Sequence, residues 1–184
     1  MRMRYALAVP AAAFMVAGVA IGPADAATSG STTTTFTVST NGTGLAITVP
    51  GTASLGTGTP GTTITAHLGS VQVTDARAVN PAAWTATVTS TDFTIGTTAD
   101  TIPVADVAYW SGPATATVGS GTFTPGEPAS ANQVPLSAVT PLTAMSLAGG
   151  AGSNSATWNP TLVVSVPAAA VAGLYTGTVT HSVA

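Results

Sequence analysis

The chain has 184 residues, 45% of them hydrophobic and only 5% charged, where ordinary soluble domains carry roughly a quarter charged. That length supports one domain with a proper core, and so apolar a composition excludes disorder driven by charge. Cysteine is absent, which excludes disulfides, thiolate catalysis and Cys-ligated zinc and leaves the fold to its core alone.

Taken in chain order, residues 1–26 read as a secretory signal. Arg2 and Arg4 give a positive start, Tyr5 to Ile21 is an apolar run broken by Pro10, and Ala24-Asp25-Ala26 offers small residues for cleavage after Ala26. A membrane anchor needs about 20 apolar residues without such a site. Beyond the signal, Arg77 is the only basic residue against Asp75, Asp92, Asp100, Asp106 and Glu127, so one minus five leaves a net charge of −4. A phosphate-reading surface of Lys and Arg is excluded, and nucleic acid with it. Residues 27–35, ATSGSTTTT, lack an apolar anchor and are expected to be flexible and dispensable. The folded domain is expected over residues 36–184.

Within that domain, runs rich in Thr and Val alternate with Gly and Pro. Strands are expected at 36–40 (FTVST), 45–51, 62–69, 70–77, 84–90, 92–96, 102–110, 114–124, 133–139 and 156–167, with a last strand from Tyr175 to Val183. PAAAVAG at 167–173 is the only weakly helical stretch, long enough for one turn. Period-two alternation puts Trp84, Ala86 and Val88 on one face, Val71 and Val73 on a face with Asp75 and Arg77, and Tyr175, Gly177, Val179, His181 and Val183 on another. One buried face per sheet implies antiparallel strands in two layers. The fold class is therefore all-β, an immunoglobulin-like antiparallel β-sandwich. Tyr175, entering its strand after a bend, matches the tyrosine corner of such sandwiches, whose hydroxyl bonds back to the preceding connection.

Residues 71–94, VQVTDARAVNPAAWTATVTSTDFT, and residues 157–183, TWNPTLVVSVPAAAVAGLYTGTVTHSV, together resemble the WxL-domain family of bacterial surface proteins. The resemblance covers most of residues 36–184 and rests on an Asp-x-Arg strand, a first Trp element and a terminal Gly-x-Tyr-Thr-Gly-Thr strand. It implies non-covalent attachment to peptidoglycan or related wall components. Two departures stand out: the first Trp-x-Leu element is Trp84-Thr85-Ala86, and His181-Ser182-Val183 occupies the place of the second. After Ser182 there is no hydrophobic tail, basic stop or LPxTG signal, so any attachment at the surface is expected to be non-covalent.

The side chains with chemistry are few. His67 and His181 are the only imidazoles, and no Gly-x-Ser-x-Gly elbow accompanies them. His181 is expected to be buried and neutral, its pKa depressed, with one ring nitrogen donating to a backbone carbonyl or a carboxylate. His67 reads as a strand-end residue. Asp75 and Arg77, two apart on one strand, form either a bidentate pair that pins a loop or a clasp for an anionic ligand. Asp92, Asp100 and Asp106 match no calcium-loop spacing, so neither a metal nor a cofactor is indicated. Tyr109 and Trp110 point to opposite sides of their strand, which leaves one ring outward as a platform for sugars or protein partners unless a loop covers it. Trp84 and Trp158 suit the core, with Trp158-Asn159-Pro160 a second possible platform.

These readings converge on a secreted, non-catalytic envelope protein that binds a wall polymer, glycan or surface protein, without a membrane span. Its candidate binding residues are Tyr109, Trp110, Trp84, Trp158, Asp75, Arg77 and His181. The alternatives are a surface subunit that self-associates through edge strands and a small hydrolase using His181 or His67. A closed apolar environment around His181 favours binding, whereas an open cleft with a facing Asp and Ser favours hydrolysis.

Overall fold

β-branched Thr and Val at alternating positions favour a pleated, half-buried backbone, and in the computed structural model that preference is realised along most of the chain. Residues 33–37, 39, 44–96 and 100–184 are described. The chain divides into Met1–Thr37 and Val38–Ala184, and every described strand belongs to the second unit. The signal-peptide reading and most of the 27–35 segment lie outside the described residues. Thr33, Thr34 and Thr35 are exposed and without regular structure.

The strands are β1 (Leu45–Thr48), β2 (Thr63–His67), β3 (Val71–Asp75), β4 (Ala82–Ser90), β5 (Phe93–Ile95), β6 (Thr101–Ile102), β7 (Val107–Trp110) and β8 (Ala114–Val118). They continue as β9 (Thr122–Pro125), β10 (Val134–Pro135), β11 (Leu142–Gly150), β12 (Asn154–Trp158), β13 (Thr161–Ser165), β14 (Tyr175–Thr176) and β15 (Val179–Val183). Single 3-10 turns at Val104–Asp106 and Ser130–Asn132 are the only helices among the described residues. No helix among them is long and apolar enough to cross a membrane.

All pairings are antiparallel, in four sheets ordered β1-β3-β12-β8, β10-β7-β13-β2, β15-β4-β11-β9 and β14-β5-β6. The first two sheets run on into each other. β2 leads to β3, β7 to β8 and β12 to β13 through links of two or three residues, and the strand orders correspond. The third and fourth sheets are continuous in the same way through β4–β5 and β14–β15. There Thr91 secures the bend: its N–H donates to the Thr178 carbonyl (3.0 Å) and its hydroxyl oxygen accepts the Thr178 N–H (3.0 Å). The first and third sheets share one core that includes Val71, Val73, Trp84, Ala86, Val88, Met145, Leu147 and Trp158. Full burial of such aliphatic side chains contributes about 1.5–3 kcal/mol each.

Several sequence expectations change here. Phe36, Thr37 and Ser39 of the expected 36–40 strand have no regular structure, and Phe36 is exposed. The apolar alternation there stops after Phe36 and Val38, with Thr and Ser on both sides, too little area to hold a strand to a core. The single strand expected over 102–110 is broken by the 3-10 turn at Val104–Asp106, which follows Pro103. The runs at 114–124 and 156–167 each contain two strands in different sheets, divided by Gly119-Ser120-Gly121 and by Asn159-Pro160. Of 133–139 only Val134–Pro135 is strand.

The largest omission is β11, a nine-residue strand at the centre of the third sheet. Register shifts between Thr143 and Met145 and between Leu147 and Gly150 insert extra residues, so Ala144 and Met145 are both buried and the period-two signal is lost. Gly126 is required beside the first shift: its N–H donates to the Ala144 carbonyl (3.0 Å), and a Cβ there would collide with the Thr143 carbonyl oxygen.

Candidate functional site

The alternation in β3 and β4 brings three of the candidate residues together. Asp75 is buried at the end of β3, and Arg77 meets it side-on, Nε to Oδ1 at 2.9 Å and Nη2 to Oδ2 at 2.9 Å. The Arg77 backbone N–H also donates to Oδ1 (3.0 Å), and Nη2 reaches the Ala83 carbonyl (2.7 Å). Asn154 of β12 donates to Asp75 Oδ2 (3.2 Å), and its Oδ1 accepts the indole N–H of Trp84 (2.8 Å). The hydrogen bond from Arg77 is the main reason the Asp75 carboxyl falls from 3.8 to about 2, and the same contact raises the Arg77 pKa. The pair pins the β3–β4 connection, the first of the two roles expected for it. Asn154 went unread in the sequence, although Asn154, Ala156 and Trp158 alternate inward together.

A second group forms where β7, β12 and β15 converge. Trp158 and Tyr109 are fully buried, and the indole N–H of Trp158 donates to the Tyr109 hydroxyl (3.3 Å). That hydroxyl lies 3.2 Å from His181 Nε2. The His181 ring tilts against Tyr109 at a centroid distance of 5.8 Å and meets Trp158 edge-on at 6.4 Å. Burial lowers the His181 pKa from 6.5 to about 4, so the imidazole is neutral at pH 7. The side chain is half-buried. Its ring partner is the Tyr109 phenol, where a backbone carbonyl or carboxylate had been expected; the phenol is brought there by a β7–β13 pairing that local sequence does not reveal.

One direction along this chain satisfies every group in it. Indole is a donor only, so the Tyr109 oxygen accepts from Trp158. The phenol has no other acceptor among the described residues, so its own proton goes to His181 Nε2, which places the imidazole proton on Nδ1. Burial also raises the Tyr109 pKa, far from any role as a phenolate.

His181 opens onto a cleft of about 210 Å³ lined by the first residues of β3, β13, β5 and β15, with the 49–55 segment along its rim. Leu68, Val71, Phe93, Leu162 and Val179 supply its walls, and its lining contains no Asp, Glu, Lys, Arg or Ser. The surroundings of His181 thus match neither expected case in full: the cleft is open, but no acid or serine lines it, and its hydroxyls are those of Thr52 and Thr178.

The remaining candidates lie apart. Trp110 is half-buried, and its indole N–H is buried without a partner among the described residues. With Trp84, Trp158 and Tyr109 enclosed, Trp110 is the candidate aromatic that keeps an exposed part. His67 closes β2, its Nδ1 3.0 Å from the Thr161 hydroxyl. Asp92 accepts the Val104 N–H (2.7 Å), and no metal-sized cluster of His, Asp and Glu occurs among the described residues. Tyr175 donates its hydroxyl to the Val171 carbonyl (3.0 Å), four residues back, as expected of a tyrosine corner.

Glu127, counted in the sequence only as a charge, is 5% exposed with Oε2 unpartnered among the described residues, and burial pushes its carboxyl from 4.5 up to about 7. Ser111 holds its backbone, donating to the Glu127 carbonyl (3.0 Å) and accepting the Glu127 N–H (3.1 Å). The Glu127 charge bears on Tyr109. A lone Glu between Gly126 and Pro128, in a stretch otherwise without charge, was the available signal.

Comparison with protein-family models and with curated proteins finds no match to this chain, so the resemblance to WxL domains rests on the residues quoted for it.

Proposed function

We propose that the protein is a secreted, non-catalytic cell-envelope module, a WxL-like domain with an immunoglobulin-like β-sandwich fold, which binds a wall polymer, glycan or surface protein non-covalently. The observation that carries this reading is the state of His181. Its ring partner among the described residues is a phenol tied to a buried indole, and the cleft it faces offers no serine or carboxylate, so the serine and the acid of a Ser–His–acid relay are both missing there. The signal-like N-terminus, the tyrosine-corner bond and the Thr-rich surface support the same reading. Co-sedimentation with purified cell walls tests it. With one cation in the mature chain, retention is expected to be weak and nearly unchanged between low and high salt; no retention, or retention abolished by salt, contradicts it.

A second reading, self-association, is favoured by β8. This strand, Ala-Thr-Ala-Thr-Val, lies at the edge of its sheet, carries no charge or Pro, and exposes Val118; an unguarded edge can receive another strand. A sedimentation-velocity series separates the readings, since a monomer at all concentrations removes the second.

A further inference from the structure

The cleft at His181 has a chemistry of its own. Its larger side chains, Leu68, Val71, Phe93, Leu162 and Val179, are hydrocarbon, and its polar surface comes from backbone and from Thr52, Thr178 and His181. No charged side chain lines it, so an ion entering it would lose hydration without an opposite charge to compensate. The proton order along Trp158, Tyr109 and His181 leaves Nδ1–H as the free donor of the ring. Nδ1 has no protein partner among the described residues and is not sealed from solvent. A purely hydrocarbon guest would leave that donor unsatisfied, and a guest with donors alone would face it without a lone pair. The guest that matches both features is uncharged, with an apolar part for the hydrocarbon side chains and an acceptor for the ring. A volume of about 210 Å³ leaves room for a short branched chain and a carbonyl.

Two glycines shape the walls. A Cβ on Gly177 would come within 2.7 Å of the Phe93 ring, and one on Gly69 within 2.9 Å of Pro50. The absence of both lets the ring and the rim lie close to the backbone.

We propose that this cleft binds a small neutral acyl group, an alkyl chain ending in an amide or ester carbonyl whose oxygen accepts the Nδ1–H of His181. The site deepens the envelope-binding reading, and rests on it only for where such a group comes from; the acyl group alone enters the cleft, and its carrier stays outside.

The test is an NMR titration of the protein, labelled on His rings and on Leu and Val methyls, with isobutyramide and with its charged counterpart isobutyrate at pH 7. Isobutyramide should give saturable shifts at His181, Leu68, Leu162 and Val179, with isobutyrate at least tenfold weaker. His181→Phe keeps a flat ring and removes the donor, and should weaken isobutyramide at least fivefold. Should that variant not fold, the wild-type readout stands alone: the Nδ1–H signal must move on saturation while Nε2 stays unprotonated. N-acetylglucosamine and N-acetylalanine methylamide, run in parallel, sort a sugar-borne acyl group from a peptide-borne one. Shifts that do not saturate, equal affinity for amide and carboxylate, or a silent Nδ1–H would overturn the site. The probes need no wall, so failed wall retention would sink the functional reading and leave this result intact.

Discussion

The Asp75 group and the His181 group are built from the same materials and end differently. Each ties a tryptophan N–H from one strand to a polar side chain from another, Trp84 to Asn154 and Trp158 to Tyr109. In the first, every link leads to a charge that is itself paired, and the chain closes on the Ala83 backbone. In the second, every link is neutral and the last ring opens on a cleft. A closed charged network fixes a connection between strands. An open neutral one leaves a donor for something else. The contrast teaches that inward-facing tryptophans in this fold are anchored by hydrogen bonds as well as by packing, and that what lies beyond the anchor decides between structure and function.

The sharpest way to break the contrast is Asp75→Ala. It removes the shared carboxylate acceptor of Arg77 and the Asn154 amide. Since the Arg77 side chain is one-third exposed, the cost is set at the lower end of the range for breaking a buried pair, about 3 kcal/mol. Urea unfolding should report that loss; a change below about 1 kcal/mol would mean the pair is replaceable by water.

Acid and base separate the two groups further. Asp75, held near 2 by Arg77, contributes stability that is present above its unfolded value and lost as the pH falls from about 4 toward 2. His181, lowered from 6.5 to about 4, binds fewer protons folded than unfolded, so its contribution is complete above 6.5 and lost as the pH falls to 4. Glu127, raised from 4.5 to about 7, does the reverse: its contribution is present below 4.5 and lost as the pH rises through 7. Between pH 4.5 and 6.5 the slopes of His181 and Glu127, about 1.4 kcal/mol per pH unit each, oppose one another. The wild type should therefore show a nearly flat stability profile there. Glu127→Gln removes one slope, and the variant should gain about 2–3 kcal/mol across that interval. A flat profile in the variant would contradict the account of His181.

Tyr109→Phe tests the neutral chain directly. It deprives the Trp158 N–H of its acceptor and His181 Nε2 of its donor, at a cost of about 1–3 kcal/mol. The same variant frees the His181 tautomer, which nitrogen shifts would show as a mixture in place of one form.

Ala78 gives the smallest effect. It sits in the connection pinned by Arg77 with φ at 54°, a region where a Cβ is unfavourable. Ala78→Gly should change stability by less than about 1 kcal/mol, in the stabilising direction, and leave the His181 ring signals untouched.

Legibility in the sequence followed the regularity of the backbone. Trp84, Ala86 and Val88, and Val71 and Val73, face inward as alternation predicts. The Asp75–Arg77 pair was one of two roles their spacing offered, although β3 ends at Asp75 and Arg77 lies beyond the strand that was expected to carry both. The Tyr175 corner was expected from the bend before its strand. β11 was not, because its two register shifts put consecutive residues on one side. The final run read as one strand, and its alternation of exposure holds from Tyr175 to Val183. Yet the break at Gly177-Thr178 places Tyr175 in a different sheet from His181. At the candidate site, alternation put His181 inside but carried no sign of Tyr109 as its partner or of Asn154 as Trp84's, since both contacts cross between sheets. Nor did composition reveal Glu127, whose burial depends on the Ser111 contacts.

The central claim is that His181 is a neutral member of a hydrogen-bonded chain, with its proton on Nδ1. NMR titration of the His181 ring measures this most directly. The account predicts a single Nδ1–H tautomer at pH 7 and a midpoint near pH 4; a midpoint at or above 6.5, the value of a free imidazole, would contradict it.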